Sequence, residues 1–225
     1  MTTVFIAGDS TAAEKLAEKR PEAGWGEKIP LYFNKKIVFS NHAKNGRSTK
    51  SFIAEGRLNE IEERITENDY LLIQFGHNDQ KLDDPDRGTD PYGDYLDNLA
   101  KFITLANNHK AQPVLLTPVT RRDYLADGCL NPKTLGDYPQ AMKEFAKKEQ
   151  IPILDIFTRS QNWLAQFTKD ETRKFYLHGK PNEWSNYPEG VVDNTHFSEQ
   201  GAMEIARIVA EAIGESSLPL KRDLL

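Results

Sequence analysis

The chain has 225 residues, 38% of them hydrophobic and 28% charged, with a formal net charge of −5. That length buries a substantial core as one large domain or two small ones. The acidic balance argues against nucleic acid or an anionic membrane as the main partner, and no apolar run approaches the ~20 residues that span a bilayer.

A first strand is predicted from Thr3 to Gly8, a short apolar run closed by glycine, as in buried parallel strands. It opens directly onto Asp9-Ser10-Thr11. Residues 11–20 are rich in Ala, Glu and Lys and partly helical until Pro21. Gly24-Trp25-Gly26 opens a short helix that runs on through Leu31, Tyr32 and Phe33. Residues 36–40 form a second strand, followed by a polar loop holding Asn45-Gly46-Arg47-Ser48. Phe52, Ile53, Leu58, Ile61 and Ile65 mark a helix, and residues 70–75 a third strand ending in Gly76-His77-Asn78-Asp79.

Beyond an acidic loop over 81–92, a helix over 94–108 carries Tyr95, Leu96, Leu99, Phe102, Ile103 and Ala106 at amphipathic spacing. A fourth strand covers 113–117 and stops at Pro118. The loop 119–136 leads to a helix over 141–148. Residues 151–155 form a short fifth strand, which Pro152 sends to a sheet edge. A helix over 157–167 follows. Residues 170–195 are aromatic, bear Pro and Gly, and show little periodicity. Ser198 caps a last helix over 199–213, with Ala202, Ile205, Ala206, Val209 and Ile213 on one face. Strands alternating with helices require parallel pairing through right-handed crossovers. The expected architecture is α/β, three layers with about five parallel strands, in a single domain over 1–225.

Such a sheet gathers its strand ends on one edge, where ligands bind. Ser10 offers a hydroxyl there, as a nucleophile or as a helix cap. A serine needs an adjacent base. His196 can take its proton and return it to a leaving alkoxide, and Asp193, three residues earlier, can orient the ring. A tetrahedral acyl intermediate also needs donors aimed at its oxygen; the Ser10 N–H, the Gly46 N–H and the Asn78 amide are the candidates. Each residue taken singly has a plainer reading: Gly46 a turn glycine, Asn78 a turn or cap residue, His196 a packed or surface histidine, Asp193 a loop acid. Their joint occurrence at the strand ends carries the argument.

Gly8-Asp9-Ser10-Thr11, Gly46, Gly76-His77-Asn78-Asp79 and Asp193-x-x-His196 resemble the four blocks of the SGNH (GDSL-like) hydrolase superfamily. Thr11 stands where leucine is usual in the first block, and that variant resembles the rhamnogalacturonan acetylesterases of pectin breakdown. Gly24-Trp25-Gly26, residues 45–52, residues 117–122 and residues 192–197 extend the likeness over nearly the whole chain. The resemblance implies a flavodoxin-like fold. It also implies a serine esterase with Ser10, Asp193 and His196 as catalytic residues, and Ser10, Gly46 and Asn78 as the oxyanion hole.

No metal or organic cofactor is implied, and His42, His77, His109 and His178 lack a metal-ligand spacing such as HExxH. Cys129, the single cysteine, reads as passive. The implied substrate is an acetylated oligosaccharide or polysaccharide. Trp184, Tyr187, Trp163 and Tyr124 are candidates to line a sugar site or to pack. Arg121, Arg122 and Arg47 could pair with uronic-acid carboxylates or simply be solvated. The rivals are another SGNH esterase, of the lysophospholipase or thioesterase kind, and a non-catalytic carbohydrate-binding domain. With no leader ahead of the first strand the chain is expected in the cytoplasm, though a secreted form whose leader was replaced by Met1 would read the same.

Overall fold

The computed structural model describes residues 2–225. In chain order the elements begin with β1 (Thr2–Gly8), β2 (Glu22–Ala23), α1 (Trp25–Lys28), β3 (Ile37–Asn41), α2 (Thr49–Ala54), α3 (Arg57–Glu62) and β4 (Tyr70–Gln74). They continue with α4 (Asp94–Asn108), β5 (Gln112–Leu116), α5 (Tyr138–Glu149), β6 (Ile153–Leu154), α6 (Ile156–Leu164), β7 (Tyr176–Gly179), β8 (Val191–Ser198) and α7 (Glu199–Glu215).

β1, β3, β4, β5 and β6 form one parallel sheet in the order β3-β1-β4-β5-β6. Side chains alternate across a strand, and here both faces are covered. Val4, Ile6, Leu72, Val114 and Leu116 pack beneath α1, α6 and α7. Phe5, Ala7, Leu71, Ile73 and Leu115 pack beneath α2, α3, α4 and α5. This double burial is why the strands read as continuous apolar runs rather than alternating ones. All five apolar residues expected on the last helix are fully buried on α7.

The chain steps from β1 out to β3 and then back across to β4, so β1 and β4 flank the point where the order reverses. That is where an open α/β sheet leaves a crevice at its carboxyl edge. Gly8 and Gln74, the last residues of these two strands, are paired neighbours there. Ser10 and Asn78 follow within a few residues.

Three local expectations are corrected. The helix pattern over 52–65 is two helices, broken at Gly56, whose φ of 75° lies in the left-handed region. Residues 11–20 form turns with one 3-10 turn over Ala17–Lys19. The stretch 170–195, which showed no period, contains β7 and most of β8. With β2 these make a small antiparallel sheet in the order β2-β8-β7. β6 lies at the sheet edge, as its proline-bearing approach predicted.

Candidate active site

Ser10 sits in the turn that closes β1, and it is held from three sides. Asp9 is fully buried beside it and accepts the Thr11 N–H (2.9 Å), the Thr11 hydroxyl (2.7 Å), the Gln74 amide (3.3 Å) and His77 Nδ1 (3.1 Å). Burial works against the charge of Asp9, but His77 and Thr11 outweigh it and hold the carboxyl below its ordinary pKa. Burial pushes His77 down, against the pull of the Asp9 carboxylate.

The Gly24-Trp25-Gly26 segment lies directly against Ala12 and Ala13. A Cβ on Gly24 would come within 2.1 Å of the Ala13 carbonyl oxygen, and one on Gly26 within 2.4 Å of the Ala12 oxygen. Trp25 donates its indole N–H to Gln74 Oε1 (2.9 Å). The third support is Lys15, 4% exposed. Its ammonium donates to the Ser10 carbonyl (2.6 Å) and Asn45 Oδ1 (2.6 Å) and pairs with Glu22 (2.8 Å).

Asp193 and His196 lie on β8, in an irregular part of it. Tyr176 of β7 pairs with Phe197, while the next residue, Leu177, pairs with Asp193. One step on β7 therefore spans four on β8, and residues 194–196 loop out of the ladder as a wide bulge. Asp193 stabilises the loop it begins. Its Oδ1 accepts the N–H groups of Thr195 (2.7 Å) and His196 (3.0 Å), and its Oδ2 takes His196 Nδ1 at 2.7 Å. Burial raises the cost of its charge, but these bonds and the imidazole outweigh it and hold the carboxyl well below the usual carboxylate range.

The other ring nitrogen, His196 Nε2, is 2.8 Å from Ser10 Oγ. The tautomer that this requires has the proton on Nδ1, donated to Asp193, and a lone pair on Nε2 that accepts the Ser10 O–H.

Gly46 has φ of +78°, and a Cβ there would touch only Arg87, at 3.8 Å. Its backbone conformation, not crowding, requires glycine. Among the described residues neither the Ser10 nor the Gly46 N–H has a protein acceptor. Asn78 donates one amide hydrogen to the Arg47 carbonyl (3.0 Å), which leaves its second for the crevice. Ser10, Gly46, Asn78, Asp193 and His196 all line one cavity of about 360 Å³.

The aromatic candidates divide. Tyr187 lines this cavity. Trp163 is buried against Phe167 and Phe175. Trp184 lies against Gly179, where a Cβ would meet its ring at 2.6 Å. Tyr124 shares a hydrogen bond with Thr172 (3.1 Å).

The three arginines expected to meet carboxylates are engaged within the protein. Arg47 pairs with Glu55 through two nitrogens, each at 2.9 Å. Arg121 donates to Thr195 Oγ1 (2.5 Å) and the His77 carbonyl (3.3 Å). Arg122 donates to Thr172 Oγ1, Asn194 Oδ1 and the Lys169 carbonyl. Its backbone N–H also bonds the Asn194 carbonyl at 2.8 Å. Arg121 and Arg122 thus grip the bulge that carries Asp193 and His196. Sequence reasoning missed this role, as it missed Lys15; nothing in a periodic pattern marks a charged residue that folds inward. Among the described residues no group of three or more His, Cys, Asp or Glu is placed to hold a metal ion.

A parallel α/β sheet with a serine, an imidazole and a carboxylate in hydrogen-bonded series at its carboxyl edge defines a serine carboxylic ester hydrolase. The chain belongs to the GDSL-like Lipase/Acylhydrolase family, whose sequence model matches residues 6–203. It is 46% identical over 222 residues to the rhamnogalacturonan acetylesterase RhgT of Bacillus subtilis, covering 99% of this chain and 94% of that one.

Among solved structures it resembles the YxiM protein of Bacillus subtilis, with a TM-score of 0.81 at 21% identity. That match covers 97% of this chain but 57% of the other. It also resembles Axe2, an acetylxylan esterase of Geobacillus stearothermophilus, with a TM-score of 0.67 at 16% identity over 96% and 95% of the two chains. These two likenesses concern the fold.

Proposed function

We propose that the chain removes acetyl groups from rhamnogalacturonan or its oligosaccharides through an acyl-enzyme intermediate. The single observation that carries the chemistry is the Ser10–His196–Asp193 series at 2.8 and 2.7 Å. In this reading Ser10 Oγ attacks the acetyl carbonyl carbon as its proton passes to His196 Nε2. The carbonyl oxygen, now anionic, receives hydrogen bonds from the Ser10 and Gly46 N–H groups and the Asn78 amide. Collapse expels the sugar oxygen, which takes the proton back from His196. Water then attacks the acetyl-serine by the same route, and acetate leaves.

Support for the substrate comes from two sides. The 46% identical relative is a rhamnogalacturonan acetylesterase. Leu177, Val191 and Tyr187 are the chief apolar contributors to a cavity otherwise lined by polar side chains and glycine, which suits a small acyl group on a sugar better than a long acyl chain.

Acetate release from acetylated rhamnogalacturonan, acetylated xylan and O-acetylated sialic acid tests the substrate, with the first expected to be turned over fastest. A marked preference for p-nitrophenyl octanoate over the acetate would overturn the short-acyl reading. Covalent labelling by a fluorophosphonate should be lost in Ser10→Ala.

A further inference from the structure

Arg47, Arg121 and Arg122 make their contacts within the protein, yet the crevice still carries uncompensated positive charge. Two of its lining residues are lysines, Lys19 and Lys81, and both are exposed. Neither ammonium has a carboxylate within ion-pair distance or a hydrogen-bond acceptor among the described residues. Of the acids that share the cavity, Glu22 is balanced by Lys15 at 2.8 Å, and Asp193 is tied to the His196 ring and to two N–H groups of its own loop, so the two lysines outnumber the one carboxylate that lacks a permanent cation.

An acidic protein with a net charge of −5 therefore presents two free cations beside its nucleophile. Field lines from such charges are focused by the low-dielectric walls of a cleft.

Both positions are fixed at the backbone. The Lys19 carbonyl accepts the Tyr187 hydroxyl at 3.1 Å. Asn186 donates to the neighbouring Ala17 and Arg20 carbonyls at 2.9 and 2.8 Å. This ties the 3-10 turn of Lys19 to the segment that bears the crevice tyrosine. Lys81 donates its N–H to the Asn78 carbonyl at 3.1 Å, only three residues from the amide aimed at the oxyanion. Burial first, and then the Arg87 and Arg121 guanidiniums, lower the Lys81 pKa against the opposing pull of Asp84 and Asp9.

We propose that Lys19 and Lys81 are specificity-determining residues that read the carboxylates of uronic-acid units in the acetylated sugar chain, so that the crevice favours an anionic polysaccharide over a neutral one. This rests on the pectic reading of the substrate and moves carboxylate recognition from the arginines to these lysines. Each exposed ammonium–carboxylate contact is worth up to about fivefold in affinity, so the pair should act in the specificity constant and in its dependence on salt.

The test compares acetate release from acetylated rhamnogalacturonan oligosaccharides in free-acid form with the same material methyl-esterified at its carboxyls. Wild type is set beside Lys19→Gln, Lys81→Gln and the double variant. The ratio of kcat/KM for acid over methyl ester should exceed one in wild type, decline with added salt, and fall by about tenfold in the double variant, mostly through KM.

A ratio unchanged by the double substitution would overturn the proposal, and so would a wild type indifferent to methyl esterification. Both of those results leave the acetylesterase reading standing. Acetate release from acetylated xylan but from neither pectic form would instead sink the pectic substrate, and this proposal with it.

Discussion

At the scale of single residues, a buried lysine does what no motif announces. Lys15 lies between the nucleophile turn, the loop of Gly46 and strand β2, and its three contacts are with Ser10 O, Asn45 Oδ1 and Glu22. Desolvation lowers its pKa, opposed by Glu22, so the ammonium is held in place by its partners rather than by solvent. Lys15→Met should cost about 3–5 kcal/mol of stability, because it strands the Glu22 carboxylate, 7% exposed, without its cation. Denaturant unfolding measures that loss. Adding Glu22→Gln should recover part of the stability but not the turnover, since the Ser10 carbonyl and Asn45 would still lack their donor. Equal recovery of both would show that Lys15 matters only as a partner for Glu22. Asn78→Ala belongs to the same scale: loss of one oxyanion donor typically costs on the order of 100- to 1,000-fold in kcat, measurable with p-nitrophenyl acetate.

At the scale of elements, what was legible in the sequence was what repeats. Apolar runs found the five strands of the parallel sheet, and the 3.6-residue spacing of Leu99, Phe102, Ile103 and Ala106 found α4 with its ends at Asp94 and Asn108. That Ser10, Gly46, Asn78, Asp193 and His196 would meet was legible too, because their types and order are chemically distinctive. β7 and β8 were not. β8 reads Val-Val-Asp-Asn-Thr-His-Phe-Ser and breaks its own alternation at the bulge, so the strand that brings His196 to Ser10 carries no strand period. That Asp193 could orient His196 was legible from their types and order; their place inside a strand was not.

The bulge is held open by side chains distant in sequence, which is why Arg121 and Arg122 read as surface charge. Thr195→Val removes one acceptor of the Arg121 guanidinium while keeping side-chain shape. A hydrogen bond to a charged group is worth about 1.5–3 kcal/mol, and a displacement of about 1 Å at a reacting group costs on the order of 100-fold in rate. The variant should therefore lose kcat at temperatures where it is fully folded, with KM little altered. Arg121→Lys, which keeps the charge but not the fork that spans Thr195 and the His77 carbonyl, should do the same. If both variants retain wild-type kcat, the arginine grip serves folding alone.

At the scale of the whole molecule, the layers behind the site store a pH dependence of stability that is separate from catalysis. Asp79 is fully buried beyond Asn78 and accepts the Thr49 N–H (3.0 Å), the Thr49 hydroxyl (2.6 Å) and the Thr89 hydroxyl (3.2 Å), all on Oδ1. It thereby joins β4's exit to the start of α2 and to the loop before α4. Its Oδ2 has no partner among the described residues. Burial outweighs the three donors and pushes the carboxyl up to about 7.

The folded state then holds a proton that the unfolded chain, with an aspartate pKa of about 3.9, has already released. Stability from this group is present in full below the unfolded value, declines as pH rises from about 4, and is lost above about 7. Asp9 and Asp193 act in the opposite sense. Their carboxyls are depressed in the folded state, so their contribution is present above the unfolded value and lost in acid.

Asp79→Asn keeps an acceptor for Thr49 and cannot ionise. The difference in unfolding free energy between this variant and wild type should grow in the variant's favour from about pH 4 to 7 and level off above, by on the order of 4 kcal/mol. Urea unfolding across that range reads it directly. A difference independent of pH would mean that Asp79 is ionised in the fold throughout, its charge carried by the two threonines alone.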